Sequence, residues 1–126
     1  MGRRTQERGL YPQLVISSPA NRAIHTAIIM CRSIEYDLGE IEMIPNLFHA
    51  DYRQLLNEVR KVNDEYSSVM LFAHNPGITE FANYIGQQSY GNVPTAGFLH
   101  FQFNVNRWSE CETAEVLLFD YPKNPF

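Results

Sequence analysis

Apolar positions along the chain fall into short blocks and helical stripes that alternate. Leu14-Val15-Ile16 is a compact apolar run closed by Ser17-Ser18-Pro19, the pattern of a strand that ends in a turn. From residue 19 to about residue 34 the spacing becomes helical, with Ala23, Ala27 and Met30 on one stripe and Pro19 suited to the first turn. Ile41-Glu42-Met43-Ile44 predicts a second short strand, followed by a loop through Pro45-Asn46. Asp51 is placed to cap a helix reaching about Val62, whose stripe is Leu55, Leu56, Val59 and Val62. Val69-Met70-Leu71-Phe72-Ala73 is apolar without a break, as in a strand covered on both faces, and predicts the central strand.

Asn75-Pro76-Gly77 interrupts the chain, and residues 79–85 read as a short helix. Residues 86–94, rich in Gly, Gln, Ser and Asn, read as the mobile loop. From Gly97 the pattern alternates: Leu99, Phe101, Phe103 and Val105 point one way, and Phe98, His100, Gln102 and Asn104 the other. Residues 114–119 predict a last strand, closed by Asp120-Tyr121-Pro122. The opening residues 1–8 are polar and run into Gly9 and Pro12, like the tail of a helix with no visible beginning. Strands alternating with helices, then two strands close in sequence, predict an α/β domain of three layers (α/β/α) with a mostly parallel sheet. No repeat or linker divides the chain, so residues 1–126 read as one domain.

Composition narrows the functions this domain can have. With 44% hydrophobic and 13% aromatic residues, 126 residues can bury one sizeable core, which places the chain among globular proteins. A net charge of −4 leaves no concentrated basic surface for nucleic acid or an anionic membrane, so any phosphate site must be local. Cys31 and Cys111 are far apart, without metal-ligand or redox spacing, and read as buried thiols of a reducing compartment. Arg3-Arg4 is followed by polar residues, not the apolar segment of an export signal, and Gln6 stands where a myristoylation site needs Ser or Thr. No apolar run approaches a membrane span, and a cytoplasmic protein is the expectation.

Two segments carry candidate chemistry. Arg22 lies near the start of a helix that follows a strand, where backbone N–H groups and the helix dipole favour an anion that a guanidinium can grip bidentately. A surface ion pair is the competing reading. His74 directly follows an apolar strand, at the carboxyl end of the sheet where open α/β folds build their sites. Its competing reading is a packed side chain bonded to a loop carbonyl. His49, in a loop after the second strand, is placed to overlook the same sheet end. His25, three residues after Arg22, reads as solvated, and His100 alternates with Gln102 and Asn104 on a polar sheet face. The four histidines have no sequential ligand pattern such as HExxH, so neither a metal nor a cofactor is expected.

The segments LVISSPANRAIHTA (residues 14–27), LFHADYRQLL (47–56), VMLFAHNPGIT (69–79), VPTAG (93–97) and LFDYPK (118–123) together resemble the SixA-type phosphohistidine phosphatases. These are a small-domain branch of the histidine phosphatase (phosphoglycerate mutase-like) superfamily. The resemblance implies a phosphate pocket at the carboxyl end of the sheet, made by two arginines and two histidines, one of which is transiently phosphorylated. Position by position, Arg22 matches the second pocket arginine and His74 the second pocket histidine. Ser18 falls in the turn beside the pocket, and Thr95-Ala96 fall in the loop that closes it. His49 matches the position where many superfamily members hold an acidic proton donor. A phosphoramidate substrate, having a good leaving group, needs less of such help.

One departure is larger than these matches. The family opens with an apolar strand ending in Arg-His-Gly or Arg-His-Ala, which supplies the nucleophilic histidine and the first arginine, and this sequence contains neither motif. Met1-Gly2-Arg3-Arg4 resembles instead the later part of the family's first helix, so the expectation is an N-terminally truncated domain missing the first strand. Such a gap would leave two strand edges unpaired, and a homodimer covering it is the expected consequence. The expected function of the intact lineage is hydrolysis of a phosphorylated substrate, phosphohistidine on a protein, through a phosphohistidine intermediate. The alternatives are a catalytically silent phosphate-binding or phosphoprotein-binding module, and a structural fragment.

Overall fold

In a computed structural model the described residues are 11–87 and 98–120. Three strands, Leu14–Ser17 (β1), Glu42–Met43 (β2) and Val69–Phe72 (β3), form a parallel sheet in the order β2-β1-β3. Two more, Phe98–Gln102 (β4) and Glu115–Asp120 (β5), pair antiparallel as a separate sheet, with an irregularity between His100 and Phe101.

The strand register sorts the core into two halves. Leu14 pairs with Val69 and Ile16 with Leu71, so these four share one face. Leu14 and Ile16 are buried there with Leu55, Leu56 and Val59 of helix Tyr52–Arg60 (α2) and Phe81 and Ile85 of helix Gly77–Gly86 (α3). The opposite face presents Val15, Met70 and Phe72 to Ala23, Ala27, Met30 and Cys31 of helix Asn21–Ser33 (α1). The result is three layers around a parallel sheet. Phe101 and Phe103 of the β4 segment pack against the α2–α3 half, while Val105, expected on the same stripe, is exposed beyond the end of the strand.

The expected central strand is β3, but the structure gives that place to β1. All four β1 residues are buried, whereas three of four in β3 are half-exposed, and β3 pairs only with β1 among the described residues. An uninterrupted apolar run reports that both faces are covered, which is true of β3. It carries no information about whether both edges are hydrogen-bonded.

Local chemistry sets the element ends. Asp51 accepts from the Gln54 N–H at 3.0 Å and the Gln54 side chain accepts from the Asp51 N–H at 2.9 Å, a reciprocal capping box that starts α2. The helix ends at Arg60, two residues short of the expected Val62, though Val62 still packs on the core. Helix α1 starts at Asn21, leaving Pro19 outside it, and α3 starts at Gly77, two residues before the expected Thr79. Short 3-10 turns at Leu38–Glu40, Pro45–Leu47 and Trp108–Glu110 are additional to the expected elements. The opening segment and most of the 86–94 loop lie outside the described residues.

Candidate functional site

Because β1, β2 and β3 run parallel, the segments that follow them emerge along one edge of the sheet. Arg22 comes after β1, His49 after β2 and its 3-10 turn, and His74 after β3. The turn leaving β1 is tightly held. Ser18 is buried, its N–H donates to the Phe72 carbonyl at 2.9 Å, and its hydroxyl accepts from the Ala20 N–H at 3.2 Å. The Ser17 hydroxyl donates to the Ser18 carbonyl at 2.9 Å. This fixes the path into α1, whose first turn holds no acidic residue and carries Arg22 on an exposed position.

His49 and His74 meet across the fold. Their ring centroids are 5.2 Å apart with planes at 81°, and Phe48 adds a third ring 4.1 Å from His49, again edge-on. His49 is exposed and has φ 53°, a left-handed conformation that turns the chain sharply between Phe48 and Ala50. His74 is half-buried, and its Nδ1 is shielded from solvent with no hydrogen-bond partner among the described residues. A buried polar nitrogen in that condition is costly unless something supplies a partner, which makes it a place to look for a ligand.

Two contacts hold these loops together. A β-carbon on Gly77 would stand 2.0 Å from the Ala50 carbonyl oxygen, so only glycine lets the His49 loop reach the start of α3. The Thr79 hydroxyl donates to Asn75 Oδ1 at 2.5 Å, tying the segment after His74 to the first turn of α3, and the Asn75-Pro76 peptide is cis. Sequence reasoning read Pro76-Gly77 only as a break in the chain. It missed Gly77 as a docking point and Phe48 as a ring against His49.

The structure thus brings His49 and His74 together and sets Arg22 and Ser18 on the same sheet edge. Thr95 and Ala96 lie outside the described residues. His25 is exposed on α1, and His100 is half-buried in β4. Two cavities among the described residues, of about 310 and 400 Å³, lie elsewhere: the first is lined by Tyr11, Tyr36, Asp37, Glu40 and Glu42 among others, the second by Glu42, Glu58, Lys61 and Glu65 among others. The charged groups on both linings are mainly carboxylates, three in each against one lysine in the second, which disfavours phosphate there. Burial pushes the Cys31 thiol up and the Cys111 thiol up to about 11, which keeps both protonated and poor as nucleophiles. Among the described residues no helix is long and apolar enough to cross a membrane.

No family model and no curated protein matches the sequence. Among solved structures, an assigned phosphohistidine phosphatase SixA from Agrobacterium tumefaciens superposes with TM-score 0.80 at 20% identity, over 96% of this chain and 75% of that one. An assigned phosphohistidine phosphatase SixA from Nakamurella multipartitia superposes with TM-score 0.71 at 16% identity, over 98% of this chain and 80% of that one. The chain therefore has the α/β fold of the SixA structures, the phosphoglycerate mutase-like arrangement that its motifs imply.

Proposed function

We propose that this chain is phosphatase-like and receives the phosphoryl group of a phosphorylated substrate, phosphohistidine on a protein, at the carboxyl edge of its parallel sheet. The observation that carries the reading is the meeting of the His49 and His74 rings on the edge that also holds Arg22, in a fold shared with SixA proteins. Arg22 neutralises the transferring group, and His74 donates a hydrogen bond to its oxygens, gaining a partner in return. His49, exposed beside it, delivers a proton to the departing nitrogen as the P–N bond breaks, while water, the acceptor in the overall hydrolysis, forms the new bond to phosphorus. The phosphohistidine intermediate of the lineage forms on the histidine of an Arg-His-Gly segment, a motif that this sequence does not contain.

A second reading of the same residues is a module that binds phosphate or a phosphoprotein without turnover: Arg22 and His74 supply contacts to phosphate oxygens and neither is a nucleophile. Vanadate titration and phosphohistidine hydrolysis separate the two. Under either reading Arg22→Ala and His74→Ala each weaken vanadate binding by at least about tenfold, the value of one charge-assisted contact. Release of inorganic phosphate from a phosphohistidine protein by the unmodified chain marks the enzyme; binding without release marks the silent module. Unchanged vanadate affinity in both variants overturns the site itself.

A further inference from the structure

We infer that Phe48 is a specificity residue of the phosphoryl site, its open ring receiving the planar aromatic group that carries the phosphate, so that imidazole and aryl carriers are taken in preference to aliphatic ones. The inference rests on the site proposed above and names the class of carrier it selects. Phe48 and His49 form the outer half of a turn whose flanks are buried: Leu47 is fully enclosed and Ala50 nearly so, while Phe48 is 50% exposed and His49 is exposed. The backbone holds the two rings out. The Phe48 N–H donates to the Pro45 carbonyl at 3.0 Å, the Ala50 N–H donates to the Leu47 carbonyl at 3.3 Å, and His49 takes the left-handed conformation between them. A single exposed apolar side chain is ordinary on a protein surface; Phe48 differs in where it stands.

Its ring lies 4.1 Å from that of His49, edge-on, and His49 lies 5.2 Å from His74. A leaving nitrogen that takes its proton from His49 sits about 2.9 Å from the donor nitrogen, which puts the ring containing it about 5 Å from His49, centroid to centroid. A ring at that distance from His49 is within reach of Phe48, since aromatic pairs attract at centroid separations of about 4.5–7 Å. An aliphatic carrier, such as a serine hydroxyl, offers no π face and less apolar area to the same ring. Phe48 has no group that bonds phosphate oxygens, so its effect falls on the carrier and not on the phosphate.

The test is calorimetric titration of the full chain with vanadate, methylphosphonate and phenylphosphonate. The P–C bonds of the two phosphonates do not hydrolyse, so binding is read whether or not the chain turns over. The unmodified chain should bind phenylphosphonate at least about tenfold more tightly than methylphosphonate. Phe48→Ala should cut that ratio below about threefold while vanadate and methylphosphonate affinities stay within about twofold, and Phe48→Tyr should keep the ratio. Ile29→Ala, which removes a side chain 63% exposed on α1, should change none of the three. Circular dichroism checks each fold; if Phe48→Ala does not fold, the polar Phe48→Gln takes its place. Vanadate bound without a preference for phenylphosphonate, or a preference that survives in Phe48→Ala, overturns this inference and leaves the phosphate site standing. Equal weakening of all three ligands by Phe48→Ala overturns it too, because the ring then only props His49. Absence of vanadate binding to the unmodified chain overturns the site and this inference with it.

Discussion

Gly77 meets the carbonyl oxygen of Ala50 at a distance that excludes any β-carbon: one placed there would lie 2.0 Å from the oxygen. This contact joins the turn carrying His49 to the helix that begins just after His74, and so fixes how far apart the two imidazoles stand. The carbonyl is backbone and a β-carbon has no rotamer, so neither can rotate away.

Gly77→Ala is accordingly destabilising. Alanine is favoured over glycine inside a helix by about 1 kcal/mol. Overpacking against a fixed carbonyl costs on the order of 1–3 kcal/mol or more and outweighs that gain. Urea unfolding should show a net loss of up to about 2 kcal/mol. The same variant should part the imidazoles, read as changed ring-proton shifts of His49 and His74 in NMR spectra. Equal or higher stability with unmoved ring signals would show that the α3 terminus relaxes freely.

Arg22 offers a test of geometry against charge. Lysine keeps the positive charge but loses the planar fork that grips two phosphate oxygens. Arg22→Lys should bind vanadate with an affinity between the unmodified chain and Arg22→Ala, at least about threefold weaker than the former. Equal binding by Arg22→Lys would show that the guanidinium acts only as a point charge.

Much of the architecture was legible because periodicity reports coverage. The Ala23, Ala27, Met30 stripe and the Leu55, Leu56, Val59 stripe are both buried, as their spacing implied, and the structure puts them on opposite sides of the sheet. Asp51 was legible as a cap from its carboxylate ahead of a helical stripe, and the structure adds the reciprocal bond from Gln54. The place of β3 was not legible, since its VMLF run encodes facial burial and says nothing of which strands pair with its edges. In the site, Arg22, His49 and His74 could each be picked out from their positions after strands. The pairing of His49 with His74 could not, because it depends on a left-handed residue and on a glycine packed against a carbonyl remote in sequence.

The capping box makes a prediction for stability alone. Asp51→Ala removes the acceptor for the Gln54 N–H and leaves the reciprocal Gln54 bond without its mate. The expected loss is about 1 kcal/mol by thermal or urea unfolding, with Asp51→Asn recovering most of it. A neutral Asp51→Ala change would show that water caps α2 equally well.

Alkaline pH should expose the buried thiols. Cys111 is raised from 9.0 to about 11, chiefly by burial, and Cys31 and Tyr36 are raised for the same leading reason. For each, the unfolded chain loses its proton first, so the folded state holds more protons as pH rises past the unfolded value. Their contribution is therefore fully present below about pH 9 and is lost upward, for Cys111 over the window from 9 to about 11. Two pKa units correspond to on the order of 2–3 kcal/mol for Cys111. Urea unfolding from pH 8 to 11 should show stability falling through this window. Cys111→Ala should start from a lower plateau, because it opens a small cavity, and fall less steeply. A slope that the variant leaves unchanged would assign the alkaline loss to Tyr36 and Cys31 instead.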